Sequence, residues 1–132
     1  MDKPHKRLDL WKLAIELVAE VYNITQLLPK GENYNLTSQM KRAAISIPSN
    51  VAEGAARNTK KEFINFLHIA QVSLSELDTH IEISKRLGYL QGENVDNMNK
   101  LMERIDKVLT GLIKFQKSPH ASRLTPSAQE RN

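Results

Sequence analysis

Catalysis or metal binding in this chain would have to start from four histidines and fifteen acidic residues. Glu76 and His80, four positions apart, are the nearest approach to a metal pair. A carboxylate-bridged di-metal bundle needs a Glu-x-x-His pair at i, i+3 on two helices, and one Glu from each of the other two. The spacing here is one residue too long, and no second copy exists. His68 and His80 fall about a third of a turn out of phase on a helix, and His5 and His120 lie near the termini. Cysteine is absent, which removes thiolate ligands, thiol nucleophiles and disulfides together. The chain contains no Gly-x-Ser-x-Gly elbow and no glycine-rich phosphate loop. The remaining carboxylates fall on polar helix faces beside lysines, where solvated pairing accounts for them. This inventory predicts no enzyme, no metal centre, no cofactor and no small-molecule substrate site.

Two groups of residues stand out instead. Gln39, Arg42, Ser46, Ser49, Asn50, Glu53 and Arg57 recur at steps of three and four, which places most of them on one helical stripe. Solvated helix faces normally carry long Lys and Glu side chains, whereas this stripe mixes hydroxyls and amides with few charges. One reading is local: Ser46, Ser49 and Asn50 bond to carbonyls freed by Pro48. The other buries the stripe against a third helix or a second subunit. Ser73, Glu76 and His80 form a comparable polar row, and Arg42 would pair with Glu76 or Glu53. The two readings are compatible. The second group is basic: Lys41, Arg42, Arg57, Lys60 and Lys61, diluted by Glu53 and Glu62 and read as flanking one inter-helix turn. One copy of such a patch would bind nucleic acid weakly, and a ring of copies would multiply both charge and salt dependence. The plainer alternative is a solubilising patch with helix-capping duties. No aromatic residue interleaves with these lysines, which argues against base stacking on single strands.

The elements that must position these groups are helices. At 132 residues the chain has room for one domain with its own core. It is 40% hydrophobic but only 5% aromatic, so aliphatic side chains supply that core. The first helix is expected over residues 9–28, with Asp9 as N-cap and an apolar face of Leu8, Trp11, Ile15, Val18 and Tyr22 beside Ala14, Leu17, Val21, Ile24 and Leu28. The second begins near Leu36 or Thr37. Its three-and-four spacing keeps phase through Pro48 to Gly54, which predicts a kinked but continuous helix. The third starts behind Thr59 with Glu62 in capping-box position and ends at Leu87-Gly88. The fourth runs from Asn94 or Val95 to Phe115. Together these predict an all-α, antiparallel up-down four-helix bundle over residues 9–115, with residues 1–8 flexible and 116–132 disordered. No stretch approaches the roughly 18 apolar residues that span a membrane. The expected location is cytoplasmic. The net charge of +4 permits a polyanionic partner without requiring one.

Several segments resemble a known family. They are Leu10-Trp11-Lys12-Leu13-Ala14, the run from Leu36 to Ala44, and above all Ser46-Ile47-Pro48-Ser49-Asn50-Val51-Ala52-Glu53-Gly54. Lys60-Lys61-Glu62-Phe63, Glu76-Leu77 and Lys85 to Tyr89 complete the pattern. Over residues 6–115 the chain resembles the 23S ribosomal RNA intervening-sequence protein family, S23. The resemblance implies a small four-helix bundle that assembles as a homopentamer, with no enzymatic activity assigned. It implies an assembly role for Arg42, Ser46, Pro48, Ser49, Asn50, Glu53, Gly54 and Glu76, and favours RNA or a ribonucleoprotein as partner. The alternative is a structural or adaptor protein that binds a protein partner and no nucleic acid.

Overall fold

The structure, a computed structural model, describes residues 1–119. Four helices carry the chain: α1 Asp9–Thr25, α2 Leu36–Ala55, α3 Lys60–Arg86 and α4 Glu93–Lys117, with short 3₁₀ turns at Pro4–Arg7 and Lys30–Glu32. Among the described residues there is no strand. Each helix packs on the next and α4 returns to α1, so the up-down bundle closes around one core.

Local chemistry sets the ends of the helices. α1 stops at Thr25, three residues short of the sequence expectation. The N–H groups of Gln26, Leu27 and Leu28 bond to carbonyls three residues back, tightening the last turn ahead of Pro29. Asp9 is the first helical residue rather than the cap; the cap position is Leu8, which offers no side-chain bond. Setting residues 1–8 aside needs the same correction. Pro4–Arg7 form a turn packed on α1 and α2, and Leu8 is 0% exposed within the core.

α2 continues through Pro48. A proline inside a helix costs about 3 kcal/mol, and burial on both sides of it offsets that cost. Ile47 and Val51 are fully buried and Ala55 nearly so. α3 starts as the sequence indicates, with the Glu62 N–H donating to Thr59 Oγ1 at 3.1 Å. It ends in a Schellman turn: Tyr89 N–H donates to Ser84 O at 2.9 Å and Gly88 N–H to Lys85 O at 3.0 Å. Gly88 supplies the φ of +78° that this turn needs. α4 extends two residues past Phe115, and Gln116 is buried. The expected disorder of the C-terminal tail falls, from residue 120 onward, outside the described residues.

α2 and α3 form the most extensive helix pair. Ala43, Ala44, Gly54 and Ala55 on α2 are all buried, and small residues of this kind let two backbones approach. The approach is tightest at Gly54, where a Cβ would stand 2.8 Å from Phe66 Cβ and 2.9 Å from Phe63 Cδ1. This close pairing brings the polar stripe of α2 against α3.

Candidate assembly and nucleic-acid surfaces

Along the α2–α3 seam, Gln39, Arg42, Ala43, Ser46, Ser73 and Glu76 line an open trough of about 470 Å³. Ser46 Oγ and Ser73 Oγ are hydrogen-bonded at 2.8 Å across it, so the two polar rows do face one another. Local bonds form as well, but to other carbonyls than that of Ala44, which the missing Pro48 N–H leaves free. Ser49 Oγ donates to Ile45 O at 2.8 Å, and Asn50 Nδ2 donates to Ser46 O at 2.7 Å and to Ser46 Oγ at 2.9 Å. The bonds to Ile45 O and Ser46 O are both side-chain bonds back to the carbonyl four residues earlier, in the turn around Pro48. The Arg42 pairing does not form within one chain. Glu53 holds Arg57 at 2.6 Å, Glu76 faces His80, and Arg42 is exposed with no ion pair among the described residues.

The surface on either side of α2 is more apolar than a solvated bundle needs. Beside the trough on α3, Ile69, Val72 and Ile83 are 39%, 68% and 43% exposed. On the other flank, Ile15 and Tyr22 of α1, expected from periodicity to lie in the core, are 44% and 43% exposed. With half-buried Trp11 and Val18 they form a stripe bordering α2, where Lys41 Nζ sits 4.5 Å from the Tyr22 ring centroid. Ile45 of α2 adds a further exposed side chain. Periodicity located these residues on one helix face; it could not show that the chain leaves part of that face uncovered.

The basic residues divide into two groups. Lys41 lies sixteen residues before Arg57, about 24 Å along the helix, so Lys41 and Arg42 do not flank the α2–α3 turn. Arg57, Lys60 and Lys61 do. Arg57 is committed to Glu53, to Glu62 at 3.9 Å and to the Phe66 ring at 4.8 Å. Lys60 Nζ donates to Ser118 O at 3.3 Å. Neither Lys60 nor Lys61 has a carboxylate partner among the described residues. The bond to Ser118 shows that the last turn of α4, with Lys114 and Lys117, reaches the same end of the bundle. Sequence reading missed those two lysines because they lie more than fifty positions from the turn.

His80, one turn beyond Glu76 on α3, is buried, 5% exposed. Its Nε2 is 3.7 Å from Glu76 Oε1, and its Nδ1 has no hydrogen-bond partner among the described residues. Loss of hydration pushes the imidazole pKa below its ordinary 6.5, against the opposing pull of the Glu76 carboxylate. As the pH falls through about 6.5, the unfolded chain therefore binds a proton before the folded chain does. Stability contributed by neutral His80 is complete above that pH and is lost towards the lowered folded value. The melting temperature is expected to fall between about pH 7.5 and 5.5, and His80→Gln to reduce that fall. His5, also pushed down by desolvation and by Lys6 and Lys3, leaves a residual drop of the same sign. An identical pH profile in the variant would remove His80 as the cause.

Among the described residues, no group of three or more His, Cys, Asp or Glu side chains could hold a metal ion. No helix among them is long and apolar enough to cross a membrane.

Comparison with known proteins agrees with this architecture. A crystal structure of a protein of unknown function from the S23 ribosomal protein family of Bacteroides thetaiotaomicron superposes with a TM-score of 0.73 at 24% identity. The alignment covers 80% of this chain and 98% of that one, and establishes the shared fold. No curated protein matches the chain. Residues 6–111 match the 23S rRNA-intervening sequence protein family, a span that includes all of α1, α2 and α3 and most of α4. With so much of its length matched, the chain belongs to the 23S rRNA-intervening sequence protein family.

Proposed function

We propose that the protein is a non-enzymatic helical bundle that assembles as a homo-oligomer and binds RNA or a ribonucleoprotein through a basic surface, acting in the cytoplasm. The observation that carries this reading is the uncompensated positive charge of Lys60 and Lys61 at the α2–α3 turn. Assembly multiplies that charge, because copies joined in a ring present it repeatedly to one polymer.

Support for assembly comes from the two flanks of α2. They differ in chemistry: a polar trough edged by Ile69, Val72 and Ile83, and an apolar stripe of Trp11, Ile15, Val18 and Tyr22. A contact between unlike patches is heterologous and closes into a ring when the rotation allows. Five is the ring size that the family resemblance implies. Arg42 and Glu76, unpaired with each other in one chain, then have a second subunit to meet. The family's own description ties it to intervening sequences of 23S rRNA, which supports RNA over other polyanions.

RNA titration at two salt concentrations tests the binding. Affinity is expected to fall steeply with salt, and Lys60→Glu with Lys61→Glu to weaken binding by at least about tenfold while the assembly mass is unchanged. Binding that ignores both salt and charge reversal would rule out the phosphate-directed reading. A protein partner retained after nuclease treatment, with no RNA affinity, would establish the adaptor alternative.

A further inference from the structure

We infer that the nucleic-acid surface is one entire end of the bundle, and that it grips the phosphate backbone of double-stranded RNA. This rests on the RNA reading above and specifies its ligand. In an up-down bundle the first turns of α1 and α3 and the last turns of α2 and α4 share one end, as the Lys60–Ser118 bond confirms for α3 and α4. The turn Pro4–Arg7 packs there too, bringing Lys3, Lys6 and Arg7 beside Lys12 of α1. Arg57, Lys60 and Lys61 stand at the α2–α3 turn, and Lys114 and Lys117 in the last turn of α4.

Among the described residues these nine cations face four carboxylates, Asp2, Asp9, Glu53 and Glu62, an excess of five against a net +4 for the whole chain. The opposite end is balanced: Lys30, Lys85 and Arg86 stand against Glu32, Glu93 and Asp96. The sequence disperses this asymmetry over residues 3–117, and alternating helix direction collects it.

The chemistry of that end favours phosphates over bases. Phe63 is buried, the Phe66 ring is covered by Arg57, and half-buried Trp11 meets His5 edge-on with ring centroids 5.0 Å apart. Among the described residues at this end, half-buried Phe115 is the one ring left partly open, beside Lys114. Few open ring faces therefore remain for a base to stack on. Apart from Met1, none of the exposed large apolar side chains lies in these terminal turns, which disfavours a lipid surface. The cations are spread over an end about 20 Å across, given helix axes 8–10 Å apart. That breadth suits a duplex, recognised by shape and by phosphates on both sides of its minor groove. In a ring joined through the bundle sides, with its axis along the helices, every copy turns this end the same way.

The test is a fluorescence titration of the full chain with an RNA duplex of about 16 base pairs and with one of its strands alone. The duplex is expected to bind at least about tenfold more tightly. Neutralising about five phosphates per copy would weaken that binding several-hundredfold between 50 and 200 mM salt. Reversing Lys6, Arg7, Lys114 and Lys117 to Glu, with helicity and assembly mass retained, is expected to lower duplex affinity about a hundredfold. If the parent binds RNA and this variant binds it equally, the end is not the surface. If the single strand binds as tightly as the duplex, the duplex assignment fails. No RNA binding by the parent, or binding to anionic vesicles alone, would remove the RNA reading itself.

Discussion

Replacing Gly54 with alanine lowers the melting temperature of the bundle by up to about 8 °C, and valine there lowers it further. Two effects compete at this position. Alanine favours the helical backbone over glycine by about 1 kcal/mol, so substitution in an open helix would stabilise. Here the added methyl meets Phe66 Cβ at 2.8 Å, Phe63 Cδ1 at 2.9 Å and the Phe63 carbonyl oxygen at 3.3 Å. Cβ and carbonyl atoms move only with their backbone, so α2 and α3 must separate. Overpacking of this kind costs about 1–3 kcal/mol, and valine adds atoms where even one has no room. Strain would also reach the Ser46–Ser73 bond, because the same seam holds both. Thermal denaturation followed by circular dichroism measures the effect, and a melting temperature that rose in Gly54→Ala would show that the seam relaxes at little cost.

Val72→Asp has the opposite signature: a near-normal melting temperature for each bundle and loss of the assembly. Val72 is 68% exposed, and substitutions at such positions change monomer stability by only about 0.5 kcal/mol. In a packed interface the same carboxylate would be desolvated against apolar neighbours, a cost of several kcal/mol per contact repeated around a ring. Ile15→Asp, on the other flank of α2, should give the same result because a heterologous contact needs both patches. The helix-end substitution Leu87→Asp, also exposed but beyond the trough, is the control expected to leave the mass unchanged. Sedimentation velocity distinguishes the three. Retention of the full assembly in both Val72→Asp and Ile15→Asp would place the interface elsewhere.

The helices were legible in the sequence because burial here follows the three-and-four spacing of aliphatic residues. α2 shows this best, since its phase runs through Pro48 and outweighs a local penalty of about 3 kcal/mol. The same regularity misled at α1. Trp11, Ile15, Val18 and Tyr22 keep helical phase, and periodicity reports a shared face without saying what covers it. Leu8 shows the opposite case: it keeps the same apolar phase and is fully buried, although the polar segment before it reads as a flexible terminus. Of the polar stripe, the Ser46–Ser73 contact was legible from matching rows on two helices. The expected pairing of Arg42 with Glu76 or Glu53 does not form within one chain, because Arg57 holds Glu53 and His80 faces Glu76. The basic end was least legible, since its residues become neighbours only once the direction of each helix is known.

In the proposed assembly, α2 lies between two surfaces that each meet another copy of this chain. Light scattering on the purified 132-residue chain, across a range of concentrations, tests it most directly. A pentamer of the 15.0 kDa chain would give a mass of about 75 kDa. A steady mass of 15.0 kDa at every concentration would contradict it.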